Sequence, residues 1–170
     1  MHPLIVHFPI VCLVLYSLME IVSRLSSPFR TKFSFTKIVM LTIGVIGWYF
    51  ALLSWEVAQE LLWNSDLIHT HEEFAEITFK IYLIILIIYL ISWERIVLFL
   101  KKDTISQKLY HYISQFIGVL NRFGIIALLS LIGCAMLSIT GALGWAISHG
   151  PETDPIVSFV YKMVIWPTNE

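Results

Sequence analysis

Four long apolar runs separated by polar segments form the dominant pattern of this chain. The runs cover about residues 3–25, 36–62, 72–100 and 122–149. A helix needs about 20 mostly apolar residues to cross the hydrocarbon core of a bilayer, and each run is long enough. The sequence shows none of the short alternating strands that mark a membrane-spanning barrel. The pattern predicts an all-α polytopic membrane protein, a four-helix transmembrane bundle within residues 1–150.

The composition supports this fold class. Of the 170 residues, 58% are hydrophobic and 14% are charged, whereas soluble domains have roughly 45–50% apolar residues. A net charge of -1 without a basic stripe gives no sign of a nucleic-acid partner. The N-terminus lacks the basic region of a signal peptide, so we expect the first apolar run to be retained as a helix.

The charged residues predict the orientation in the membrane. The links between helices 1 and 2 and between helices 3 and 4 hold nine of the chain's 11 basic residues, and the opposite side holds nine of the 12 acidic ones. By the positive-inside rule both links face the cytoplasm, and both termini lie on the outer face. We expect a bacterial inner-membrane protein with periplasmic termini. Residues 151–170 contain one apolar stretch too short to span, so this tail is predicted to lie on the membrane surface.

Histidines cluster at the predicted outer end. Of the six, only His111 lies elsewhere; the others are His2, His7, His69, His71 and His149. The rise of an α-helix places His7 roughly 6 Å below the outer boundary, with His71 at the mouth of helix 3 and His69 in an exposed loop. An ionisable side chain at this depth needs a partner, a metal or a wet cavity. Neutral imidazole suits iron, copper, zinc and nickel, so these residues predict a heme or metal site.

Several other residues suit a heme site. A porphyrin is flat and needs small neighbours, which helix 4 offers at Gly141 and Gly144, although such residues also form ordinary helix-packing faces. Glu56 and Glu60 could accept hydrogen bonds from ligand rings or form a solvated helix end. Lys80 could pair with Glu76 or with a heme propionate. No CxxCH motif indicates covalent heme, and the two cysteines are expected to be apolar fillers.

The N-terminus carries a more specific signal. The segment His2-Pro3-Leu4-Ile5-Val6-His7-Phe8-Pro9-Ile10 resembles the HPLLVHFPI opening of a bacterial four-helix membrane family of unknown function. Further marks of that family resemble His71 with Ala75, and Gly141-Ala142-Leu143-Gly144 leading to His149-Gly150. The resemblance covers about residues 2–150 and is lost after Gly150. Because members occur joined to cytochrome c-type or Rieske domains, the resemblance implies membrane electron transfer.

The leading hypothesis is a non-covalent heme b protein that transfers electrons and exchanges them with a quinone or a redox partner protein. We expect His7 and His71 as axial ligands, with His149 and His2 in reserve for a different pair or a second heme. We expect an electron-transfer subunit, surrounded by lipid, rather than a stand-alone enzyme.

Two alternatives remain open at this point. The same four histidines could bind copper, zinc or iron directly, which predicts a compact cluster of ligand atoms. The chain could also be a cofactor-free scaffold or assembly subunit of a larger membrane complex, which predicts histidines hydrogen-bonded within the protein.

Overall fold

The computed structural model describes residues 2–25, 32–59, 66–92, 112, 115–120 and 124–165, with the side chains of residues 2–5, 56–59 and 92 outside the described part. Five helices account for most of these residues: α1 (His2–Leu25), α2 (Ser34–Gln59), α3 (Asp66–Ser92), α4 (Ile125–His149) and α5 (Pro155–Val164). The first four contain spans long and apolar enough to cross a membrane. The predicted all-α fold with four spanning helices is confirmed.

The four long helices alternate in direction. Lys37 near the start of α2 contacts Glu20 near the end of α1, and Trp55 near the end of α2 contacts His71 near the start of α3. Around the bundle, α1 and α3 each pack against both α2 and α4. Both α1 and α3 therefore begin at one end of the bundle, which we call the His71 end. They finish at the other, the Glu20 end.

The polarity of α1 is inverted relative to a soluble helix. Its exposed face carries large apolar side chains at helical spacing, namely Phe8, Val11, Leu15, Leu18, Val22 and Leu25. Its buried face carries the polar residues Tyr16, Ser17, Glu20 and Ser23. Exposed apolar surface of this extent is unfavourable in water and matches the hydrocarbon of a bilayer. The burial pattern thus agrees with the membrane assignment made from hydropathy.

Helix α3 begins earlier than the sequence pattern predicted. The expected start was near residue 72 after a turn, whereas the helix runs from Asp66. Asp66 lies in the first turn, where a carboxylate is favourable beside the helix dipole. The hydroxyl of Thr70 donates to the Asp66 carbonyl oxygen at 2.7 Å, so this polar residue is satisfied inside a helix. His69 is therefore helical and exposed, and His71 lies about 8 Å along the helix rather than at its mouth.

Glycines flank α4, and an N-cap residue begins α5 in the tail. Helix α4 begins after Gly124, whose positive φ of 74° is a left-handed conformation that favours glycine, and is followed by Gly150. Asp154 then caps α5, its side chain accepting from the amides of Ile156 and Val157. Helix α5 packs against α4, while Ile156, Phe159 and Met163 on its other face are exposed. The surface position of the tail stays a prediction.

Candidate cofactor site at the His71 end

Among the histidine side chains that the structure describes, His71 is the one that is partly buried in the bundle. It is half-buried on α3, and its ring meets the edge of the Trp55 ring with centroids 4.9 Å apart. A Cβ at Gly144 would lie 3.2 Å from His71 Cε1, so having glycine at this position makes room for the imidazole. Helices α2, α3 and α4 therefore meet at this ring.

The His71 ring is also fixed by a hydrogen bond to α4. Its Nδ1 lies 3.1 Å from the carbonyl oxygen of Thr140, one turn before Gly144. Because a carbonyl oxygen can only accept, the proton of the neutral ring is on Nδ1 and its lone pair is on Nε2. Gly144 leaves the carbonyl accessible, since the residue one turn later would otherwise cover it with a side chain. This arrangement selects the tautomer that can ligate a metal through Nε2.

A small apolar cavity adjoins this imidazole. It has a volume of about 30 Å³ and is lined by Val6, Trp48, Ala51, Leu52, Trp55, His71, Ala75 and Thr140. That volume suits a water-sized group, whereas pockets for larger cofactors measure roughly 300–1,000 Å³. The flat slot between facing histidines that the heme hypothesis expects is therefore not formed by these lining residues.

Two tryptophans build the wall of the cavity. Trp48 is 3% exposed and Trp55 is 8% exposed, so both belong to the core rather than to an interfacial belt. The indole N–H of Trp48 donates to the carbonyl oxygen of Ala75 at 3.1 Å, which fixes α2 against α3 one turn beyond His71. The two tryptophans are seven residues apart and so lie on one face of α2, a spacing that could have predicted their packing toward the core.

His7 and His149 are not among the residues that line this cavity. His7 and His149 are exposed, and the ring of His149 stacks on Trp145 of its own helix with centroids 3.9 Å apart. Gly141 is exposed, with nothing within 4 Å of a Cβ placed there, so it does not line the cavity. The side chain of His2 lies outside the described part of the chain, as does the whole of His111.

Of the charged candidates, the structure describes Lys80 and Glu76. Lys80 Nζ lies 2.6 Å from Glu76 Oε2 in an exposed pair, so Lys80 meets Glu76, as one expectation had it. The side chain of Glu56 and the whole of Glu60 fall outside the described residues. Within the described ranges no three or more His, Cys, Asp or Glu side chains group as metal ligands. The compact cluster expected of a non-heme site is therefore not seen in that part of the chain.

Two residues at this site were not predicted. Thr140 was not singled out, because threonine is an ordinary residue within a helix. Its hydroxyl donates to the Met136 carbonyl oxygen at 2.9 Å, one turn earlier. Its role at His71 comes from the backbone, which a sequence motif does not mark. Thr78 contacts the Thr140 hydroxyl at 3.4 Å, one turn deeper than Ala75.

Comparison with protein-family models, curated proteins and solved structures returned no match.

Proposed function

We propose that this chain is a membrane electron-transfer protein that binds a b-type heme through His71, with His7 as the second axial ligand. The hydrogen bond from His71 Nδ1 to the Thr140 carbonyl oxygen carries the proposal. Metal-ligating histidines generally donate their second ring N–H to a carbonyl or carboxylate, which fixes the ring and raises its basicity as a ligand. His71 has this partner within α3, which is long and apolar enough to cross a membrane.

The residues of the chain position the ligand and shape its surroundings. Thr140 holds the tautomer that presents Nε2, Trp55 restrains the ring from α2, and Gly144 admits it beside α4. Val6, Leu52 and Ala75 form an apolar wall beside the ring. A bound heme would supply the one-electron chemistry, and His71 and His7 would hold it.

The space beside His71 sets a condition on this proposal. The cavity of about 30 Å³ does not admit a porphyrin, so heme binding requires the surrounding helix ends to separate relative to this structure. The donor chemistry at His71 fits a heme iron, while the packing of Val6, Ala51 and Leu52 has to open. His7 follows Val6 on α1, so a displacement of this helix end also moves the second ligand.

The His71 end is assigned to the periplasmic side of a bacterial inner membrane, on the charge distribution of the links. Because Lys37 is paired with Glu20 in the bundle, it no longer counts toward the positive charge of the cytoplasmic links. The other basic residues of these links still place most of the positive charge on the cytoplasmic side. A quinone or redox protein would then exchange electrons with the heme from the membrane or the periplasm.

The test is the reduced-minus-oxidised absorbance spectrum of the purified protein, with a pyridine hemochrome assay. We expect sharp reduced bands that His71→Ala and His7→Ala abolish. His69→Ala is the matched control, because His69 is exposed on the same helix two residues from His71, and its bands are expected to remain. A wild-type protein that stays colourless after expression with a heme precursor would refute the proposal, and metal analysis would then separate a metal site from a scaffold.

A further inference from the structure

A second polar cluster lies at the opposite end of the bundle, and the heme proposal makes no use of it. We call it the Glu20 cluster, and its members are Glu20, Lys37, Ser23, Tyr89, Tyr16 and Ser130. Lys37 Nζ donates to Glu20 Oε2 at 2.8 Å and to Ser23 Oγ at 3.0 Å. The cluster thus contains an ion pair between α1 and α2.

Hydrogen bonds extend this ion pair to the other two helices. The hydroxyl of Tyr89 on α3 donates to Glu20 Oε2 at 2.5 Å, and the ring of Tyr16 meets the Tyr89 ring edge-on with centroids 6.0 Å apart. Ser130 Oγ on α4 lies 3.4 Å from the Tyr16 hydroxyl. The four long helices therefore all contribute polar side chains to this cluster, from Lys37 on α2 to Ser130 on α4.

The members of this cluster are withdrawn from the surroundings of the bundle. Glu20 is 4% exposed and Lys37 is 6% exposed, while Tyr16 and Ser130 are fully buried. Both charged residues lie within candidate membrane spans, and Glu20 lies about 8 Å along α1 from its end at Leu25. A buried ion pair contributes little net stability compared with apolar packing. Ionisable residues inside a span commonly serve proton or ion movement.

Glu20 is surrounded by charged and hydroxyl groups from several helices. Lys37 faces it from α2, Tyr89 from α3, and Tyr16 belongs to its own helix. The Arg24 guanidinium, one turn further along α1, lies against Gly124 at the start of α4. Residues 125–149 of α4 contain no Asp, Glu, Lys or Arg. Within the described part of the chain, Lys37 is therefore the cation hydrogen-bonded to Glu20, and Tyr89 adds a hydroxyl group from α3.

We propose that the Glu20 cluster is a proton-binding site that exchanges protons with the water at the Leu25 end of the bundle. Lys37 transfers a proton from Nζ to Oε2 of Glu20, breaking an N–H bond and forming an O–H bond, which leaves both groups neutral. The amine then binds a proton from water and becomes an ammonium again. The net result is one bound proton and one added positive charge, with the Tyr89 hydroxyl hydrogen-bonded to the carboxyl group of Glu20.

An infrared pH titration of the full-length protein tests this site directly. We expect the C=O band of a protonated carboxyl group to grow reversibly as pH falls and to shift in D2O. The band is absent in Glu20→Gln and remains in Glu76→Gln, the matched control, because Glu76 is exposed in its pair with Lys80.

A second variant keeps the test informative if Glu20→Gln does not fold. Tyr89→Phe removes the hydroxyl that donates to Oε2, so the band shifts in frequency. Tyr112→Phe, at a side chain that is 71% exposed, leaves it unchanged. The proposal is overturned if Glu20 stays ionised throughout the pH range in which the protein is folded, if its carboxyl band does not exchange in D2O, or if Tyr89→Phe has no effect on that band. None of these readouts depends on heme.

Discussion

Lys37 Nζ lies 2.8 Å from Glu20 Oε2, and both side chains are buried between the first two helices of the bundle. The two residues are separated by the chain reversal between α1 and α2, so their contact fixes the register of these helices. An unpartnered charge in this buried position would be poorly solvated, which makes each residue depend on the other.

The first prediction concerns this dependence. Lys37→Met leaves the Glu20 carboxylate without its cation and should lower the free energy of unfolding by about 3 kcal/mol. Combining it with Glu20→Leu should recover most of that loss, because apolar pairs often replace buried ion pairs without cost. Denaturation in mixed detergent micelles measures both values. Lys80→Met is the control and should change stability by less than about 1 kcal/mol, since its pair is exposed. Equal effects of Lys37→Met and Lys80→Met would contradict the account.

Gly144 and Gly141 should respond differently to the same substitution. In Gly144→Ala the new methyl group lies 3.2 Å from His71 Cε1, so the ring must move and its hydrogen bond to Thr140 lengthens. We expect weaker heme binding, and Gly141→Ala should be neutral because nothing lies within 4 Å of its Cβ position. Heme titration of both variants measures this difference. If both bind heme equally, Gly144 does not act through His71.

Gly44 lies where α2 packs closely against Leu13 of α1. A Cβ at this position would lie 2.5 Å from Leu13 Cδ2, and Leu13 is completely buried. Gly44→Ala should therefore destabilise the bundle by about 1–3 kcal/mol, the usual range for overpacking. Thermal unfolding followed by circular dichroism, with Gly141→Ala as the unhindered control, tests this. An unchanged melting temperature would show that α1 and α2 pack less closely than described.

The N-terminus of α5 offers a local test of the tail. Asp154 Oδ1 accepts from the Ile156 amide at 2.8 Å and from the Val157 amide at 3.3 Å. Asp154→Ala should cost about 1 kcal/mol, the typical value for a lost N-cap. Faster hydrogen exchange at the first amides of α5 would report this loss, whereas Glu152→Ala, at an exposed residue outside the cap, should leave exchange unchanged. Unaltered exchange in Asp154→Ala would show that the cap does not hold the helix.

The four spanning helices could be predicted because each apolar run reaches the length that a bilayer requires. The start of α3 was wrong because the polar residues Asp66 and Thr70 were assigned to a turn, although both are compatible with a helix end in water. Pattern alone does not distinguish a polar loop from a helix that extends beyond the membrane.

The two polar sites differ in how far the sequence could lead to them. His71 was identified from its type and position, but its partner is the Thr140 backbone, which depends on the register of α3 against α4. Glu20 was not singled out, although it shares one face of α1 with Tyr16 and Ser23, opposite the apolar face at Leu15 and Leu18. This pattern could have predicted a polar interior. The identity of its cation could not be predicted, since it depends on how α2 packs.

Ligand rescue tests the central claim, that His71 ligates a heme iron, most directly. His71→Ala removes the imidazole and leaves space beside Trp55, Gly144 and the Thr140 carbonyl oxygen. Our account predicts that this variant loses the low-spin spectrum of the wild type and that added imidazole restores it. The same imidazole should leave His69→Ala, which keeps its own ligand, unchanged. A His71→Ala variant that retains the wild-type heme spectrum without added imidazole would contradict the assignment.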